Sequence, residues 1–188
     1  YFLQNGQGID GYTLVDGGFI QDPATGFKAG LFSDGNGNYI FTFAGTETTD
    51  AQDAFQDISS YGWGQWVENR GPTIELLKSQ LGNEAINSIQ FVGHSLGGAL
   101  AQYAAYDLVQ DQDLGLNPSN ISITTFNGLG AKSGLELYHE KGYLPNLLDG
   151  SHIRHYYDPS DLVSRLSEHI GDDEANYQLR TDDGSIDV

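Results

Sequence analysis

Apolar positions along this 188-residue chain change their period several times, and each change predicts an element. The first forty-five residues read as β structure. Phe27-Lys28-Ala29-Gly30-Leu31-Phe32 and Tyr39-Ile40-Phe41-Thr42-Phe43 form two strands joined through a Gly/Asn/Asp turn over 33–38, an N-terminal β-hairpin. From Thr49 to Ile58 the period is helical, with Ala51, Ala54, Phe55 and Ile58 on one face and Thr49 or Asp50 as N-cap. A second helix is predicted from Pro72, a good first-turn residue, carrying Ile74, Leu77 and Leu81 inward and stopping at Gly82. Ile89, Phe91 and Val92 make an apolar run, and Leu96, Leu100, Ala104 and Leu108 then recur every four residues with Tyr103 alongside. Ile121 to Phe126 reads as a buried strand, Leu135 to Lys141 as a short helix, and Ile153 to Tyr157 and Tyr177 to Arg180 as further strands. Strands alternating with helices predict an α/β fold with a mostly parallel central sheet flanked by helices. Without an internal repeat or low-complexity linker, residues 1–188 are expected to form one domain.

The stretch Val92-Gly93-His94-Ser95-Leu96-Gly97-Gly98 reads G-x-S-x-G and lies where the strand hands over to the helix. A nucleophile at such a corner needs a strained backbone, and glycines two residues either side remove side chains that would collide. The turn lifts the hydroxyl above the sheet and aims helix N-terminal N–H groups at the same spot. Acyl transfer needs both parts: an exposed oxygen nucleophile and donors waiting for the oxyanion. Small residues Gly98, Ala99 and Ala101 let the helix approach the sheet closely.

Composition narrows the setting. Twenty-six acidic residues against eight basic give a formal charge of −18, so nucleic acid and anionic lipid are poor long-range partners. With no cysteine there is no disulfide or thiolate metal site, which fits cytosol or bacterial secretion. No run approaches the length of a transmembrane helix, and without any methionine the chain is expected to be processed or excised from a longer protein. Its expected setting is secreted or extracellular and bacterial. Asp34-Gly35-Asn36-Gly37-Asn38 copies the start of an EF-hand loop but lacks the glycine at its sixth position and the glutamate at its twelfth, so it reads as a turn. No cofactor is required; calcium, if bound, is structural. Gly128-Leu129-Gly130-Ala131-Lys132-Ser133 lacks P-loop spacing, which excludes that nucleotide-binding motif.

Four segments together resemble the class 3 lipase family within the α/β-hydrolase fold. Tyr39-Ile40-Phe41-Thr42-Phe43-Ala44-Gly45-Thr46 is similar to the family strand ending F-R-G-T or F-R-G-S. Phe91-Val92-Gly93-His94-Ser95-Leu96-Gly97-Gly98-Ala99-Leu100 is close to its strongest motif. Thr125-Phe126-Asn127-Gly128 occupies the place of its T-F-G, and Tyr157 to Leu166 resembles its N-D-x-V-P-R-L segment. Order and spacing agree over about residues 27–180; Ala44 and Ser164 depart from the family arginine and proline.

The resemblance implies a carboxylic ester hydrolase with a triad in the order Ser, Asp, His. Ser95 is the implied nucleophile and Asp161 the acid, with Asp158 as rival. The oxyanion donors are the N–H groups of Leu96 and Thr46, with the Thr46 hydroxyl as a third. His94 supports the nucleophile, His139 precedes the acid, and His152 and His155 point to opposite faces of a strand. His169 alone follows Asp161, but its H-x-G setting is not that of the family base. The base is therefore expected beyond Val188, or lost, with His169 as the alternative. Tyr61, Trp63 and Trp66, with Gly62 and Gly64 between them, fall where relatives carry a lid over the acyl pocket, the alternative being ordinary core. Three readings follow: an ester or lipid hydrolase (lipase, phospholipase A1 or esterase) in transient contact with a lipid interface, a catalytically incomplete lipid- or surface-binding domain, and an acyltransferase or peptidase using the same triad. Oligomeric state is left open.

Overall fold

The computed structural model describes residues 8–45, 58–81, 86–158, 161, 163–171 and 176–178. Within them, eight strands form one sheet in chain order. These are β1 (Gly8–Ile9), β2 (Tyr12–Asp22), β3 (Phe27–Ser33), β4 (Asn38–Phe43), β5 (Ser88–His94), β6 (Ile121–Phe126), β7 (His152–Tyr157) and β8 (Asn176–Gln178). β1 to β4 pair antiparallel, and β4 to β8 pair parallel. The predicted hairpin is β3–β4, in register from Ala29↔Phe43 to Ser33↔Tyr39. Its turn is held by Asp34, whose Oδ1 accepts from the N–H groups of Asn36 and Asn38 and whose Oδ2 accepts from the Asn38 side chain. That carboxylate serves the loop itself, as the turn reading requires, and no cluster of metal-ligating side chains occurs among the described residues.

Among the described residues three α-helices fill the crossovers: α1 (Ile58–Leu81), α2 (Leu96–Leu108) and α3 (Lys132–Tyr138). Right-handed crossovers between sequentially adjacent parallel strands place their helices on a single face. Burial follows that rule. On β4, Tyr39, Phe41 and Phe43 are buried while Ile40 and Thr42 are half-buried; β5 repeats the pattern with Ile89 and Phe91. The core joins these rings to Leu100, Tyr103 and Ala104 of α2 and Trp66 and Leu77 of α1.

Two predicted helices shift. The one expected from Pro72 is the second half of α1, which runs unbroken through that proline. Proline removes one helical N–H, but buried Trp66 and Leu77 hold the segments on either side, and Thr73 Oγ1 donates to the carbonyl of Asn69 at 2.7 Å. The helix predicted over 135–141 begins at Lys132 and ends at Tyr138, because His139 turns out into extended backbone and puts its ring on Asp107. Residues 49–57 and 82, and those from 179 onward, lie outside the described residues, and with them all of the first predicted helix but Ile58, where α1 begins.

Candidate active site

Parallel pairing of β4, β5 and β6 brings three strand ends together: Phe43 opposite Gly93, and His94 opposite Phe126. Ser95 stands between β5 and α2 with φ 55° and ψ −128°. A non-glycine residue there carries about 1–3 kcal/mol of strain, held by its surroundings. The surroundings are specific. Ser95 donates its N–H to Phe126 O at 3.2 Å, and its carbonyl accepts from Gly98 N at 2.9 Å and Leu129 N at 3.0 Å. The flanking glycines are sterically required. A Cβ on Gly93 would lie 2.6 Å from Gly98 N and closer still to the Gly97 carbonyl. One on Gly97 would lie 2.9 Å from the carbonyl carbons of Phe43 and Ala44 and closer still to Phe43 O.

The two residues expected to receive an oxyanion start from the same corner. Leu96, buried, opens α2, so its N–H has no carbonyl four residues back to accept it. The chain leaving β4 passes beside Ser95: a Cβ on Gly45 would meet Ser95 Cβ at 3.3 Å and His94 O at 2.9 Å. Thr46, the other expected donor, lies outside the described residues. His94 is exposed.

Asp161 is half-buried, and its Oδ1 accepts from Val163 N at 2.8 Å and Ser164 N at 3.1 Å. Two backbone donors fix one oxygen of the carboxylate. Asp158 is placed differently: its N–H donates to Asn127 Oδ1 at 2.7 Å, tying the end of β7 to the end of β6. Asn127 takes φ 42°, which a short amide side chain tolerates.

His169 is not brought to either partner. Among the described residues no hydrogen bond joins it to Ser95 or Asp161, and its Nδ1 is buried without a partner. Its ring stacks on His155 with centroids 4.1 Å apart. Burial and the neighbouring His155 push His169 down to about 3, and burial pushes His155 down to about 4. His152 is exposed and His155 buried, on opposite faces of β7 as expected.

The aromatic lid expectation is corrected. Tyr61, Trp63 and Trp66 lie within α1. Trp66 is fully buried and donates Nε1–H to Asp107 Oδ2 at 2.7 Å. Asp107 is twelve residues along α2 from Ser95, about 18 Å at helical rise. Trp63 packs edge-on against Tyr103 and His139. Gly62 is a close-packing position: a Cβ there would stand 3.0 Å from Leu96 Cδ1. Both tryptophans pack between helices, Trp66 as core and Trp63 half-buried; the Tyr61 side chain lies outside the described residues. His139 likewise serves packing, its Nε2 bonded to Asp107 Oδ1 at 2.9 Å.

Sequence reasoning missed Gln102 and Asp107. Every residue of α2 is buried, so polar residues in it must find partners. That all-round apolar pattern was the available signal.

A strand, a strained serine and a helix at the edge of a parallel sheet define the α/β-hydrolase class of fold. The class 3 lipase resemblance is borne out within it: residues 36–128 match the family model for lipase (class 3). Among solved structures, the native Rhizomucor miehei lipase propeptide complex aligns with TM-score 0.69 at 17% identity, over 90% of this chain and 57% of that one. The lipase from Rhizopus microsporus var. chinensis gives 0.57 and 20%, over 84% and 57%. A triacylglycerol lipase whose catalytic centre is a serine protease triad gives 0.66 and 18%, over 87% and 65%. At such identities the likeness is one of fold, and the chain spans less than two thirds of each of these lipases. No curated protein matches it.

Proposed function

We propose that the protein is a carboxylic ester hydrolase of the lipase or esterase type, working through an acyl-enzyme on Ser95. The carrying observation is the backbone of Ser95, held at φ 55° by three hydrogen bonds between two glycines that cannot bear side chains. Such strain is kept where it exposes a nucleophile. The Ser95 hydroxyl attacks the ester carbonyl, a base takes its proton, and the alcohol leaves. Water then attacks the acyl-enzyme, releasing the carboxylic acid and restoring the serine. The Leu96 N–H and a donor from the chain after Gly45 receive the oxyanion. Asp161 orients the base, which this reading takes from outside the described residues. Ester or lipid substrate, and an extracellular bacterial setting suggested by the acidic, cysteine-free composition, belong to the same proposal.

A second reading has one observation in its favour: no described histidine is hydrogen-bonded to Asp161 or Ser95. A lipase fold without its base is a lipid- or surface-binding domain. Initial rates on p-nitrophenyl butyrate for the chain and its Ser95→Ala variant separate the two. Loss of a triad nucleophile costs on the order of 10⁶ in kcat, so a hydrolase loses turnover with Ser95→Ala. Equal background rates in two folded proteins favour the binding domain. Turnover undiminished by Ser95→Ala contradicts the Ser95 mechanism.

A further inference from the structure

We infer that Gln102 is a positioning residue that sets the acid-bearing segment against the nucleophile, an inference resting on the Ser95–Asp161 reading. Gln102 is fully buried in α2. Its Nε2 donates to Gly98 O and to Leu129 O, both at 2.9 Å. Those are the two residues whose N–H groups hold the Ser95 carbonyl, Gly98 from α2 and Leu129 from the loop after β6. Each therefore bonds Ser95 with its N–H and Gln102 with its carbonyl. Oε1 of Gln102 accepts from Ile170 N at 3.0 Å, which reaches the segment that follows Asp161.

Ile170 is clamped from its other side as well. Its carbonyl receives His155 Nε2 at 2.9 Å, and His155 Nδ1 meets Thr125 Oγ1 at 2.8 Å. A carbonyl can only accept, so Nε2 carries the proton, Nδ1 accepts and the Thr125 hydroxyl donates. The chain Thr125–His155–Ile170–Gln102 thus runs from β6 through β7 to α2 with each named bond made. At its near end the acid segment is tied by Asp158 N to Asn127, and in its middle by Lys132 N to Glu168 O at 3.0 Å. Asp161 moves with this segment, because its Oδ1 is bonded to the segment's own backbone. Gln102 is the side chain through which both holders of Ser95 and the far end of the acid segment meet. A shift of about 1 Å at a triad costs on the order of a hundredfold in rate, so the site depends on this joint.

The test uses the full chain with Gln102→Met, which keeps the volume and removes all three bonds, and Thr125→Val, which leaves Gln102 intact and removes the bond to His155 Nδ1. Two readouts are taken well below the melting temperature: kcat and KM on p-nitrophenyl butyrate, and amide hydrogen exchange of the segment containing Ile170. A positioning role predicts that Gln102→Met lowers kcat at least about tenfold with KM within about twofold. It also predicts that Ile170 exchanges at least about tenfold faster while β4 and β5 keep their protection. Thr125→Val shifts both readouts the same way by less, and decides alone should Gln102→Met not fold. Unchanged kcat in a folded, active variant overturns the inference. If wild type and Ser95→Ala hydrolyse equally, the Ser95 reading has failed instead, and the clamp is judged on exchange: unchanged exchange at Ile170 overturns it.

Discussion

The carbonyl oxygen of Gly97 fills the space that a side chain on Gly93 would need. Gly93→Ala must therefore displace either the carbonyl or Ser95 between them. We expect at least about a hundredfold loss of p-nitrophenyl butyrate hydrolysis, or failure to fold, checked by rate and thermal melting together.

Gly64 sits in α1 with open space around it: a Cβ there would meet nothing within 4 Å, and its φ is not positive. Gly64→Ala is expected to stabilise the chain by about 0.5–1 kcal/mol, since alanine loses less backbone entropy in a helix. Denaturant midpoints measure it. No gain would mean that α1 is not helical at this point in solution.

Asp107 gathers three helices: Trp66 Nε1 and Arg70 Nε from α1 reach its Oδ2, and His139, just after α3, reaches its Oδ1. Its side chain is 1% exposed, whereas that of Arg70 is 47% exposed. Asp107→Ala leaves the Trp66 and His139 donors buried and unpaired, a loss of about 2–4 kcal/mol. Arg70→Ala gives up a solvent-screened pair worth about 1 kcal/mol or less. Urea unfolding of the two variants should keep that order; equal losses would put the weight on the arginine.

The stacked pair His155 and His169 makes stability pH-dependent. Both values, about 4 and about 3, lie below the ordinary 6.5, so between them the unfolded chain binds more protons than the folded one. Their contribution is complete above pH 6.5 and falls with acid, through about pH 4 for His155 and about pH 3 for His169. The slope reaches at most about 1.4 kcal/mol per pH unit for each histidine. His169→Phe keeps the stack, removes a buried unpaired Nδ1 and should flatten part of the fall between pH 6 and about 4 in urea titrations. An unchanged slope would show that His169 is solvated in the native state.

The hairpin, the β5–Ser95–α2 corner and β6 were legible because period and turn chemistry agree there: alternation in Tyr39 to Phe43, glycines at 93 and 97, recurrence every four residues from Leu96. Misreadings arose where one residue type serves two ends. Gly62 and Gly64 between aromatic rings look like a lid segment, but Gly62 lets α1 approach Leu96 and Trp66 is fully buried. Pro72 looks like a helix start, but tertiary burial on both sides carries α1 through it. The Thr125–His155–Ile170–Gln102 chain joins residues up to 68 positions apart, and no local pattern encodes such a network.

The most direct test of Ser95 as nucleophile is covalent trapping. The chain and its Ser95→Ala variant are treated with an alkyl fluorophosphonate, digested and mapped by mass spectrometry. A nucleophile at this corner predicts one adduct, on the peptide containing Ser95, absent from Ser95→Ala and suppressed by p-nitrophenyl butyrate. An adduct on another serine, or equal labelling of both proteins, would contradict it.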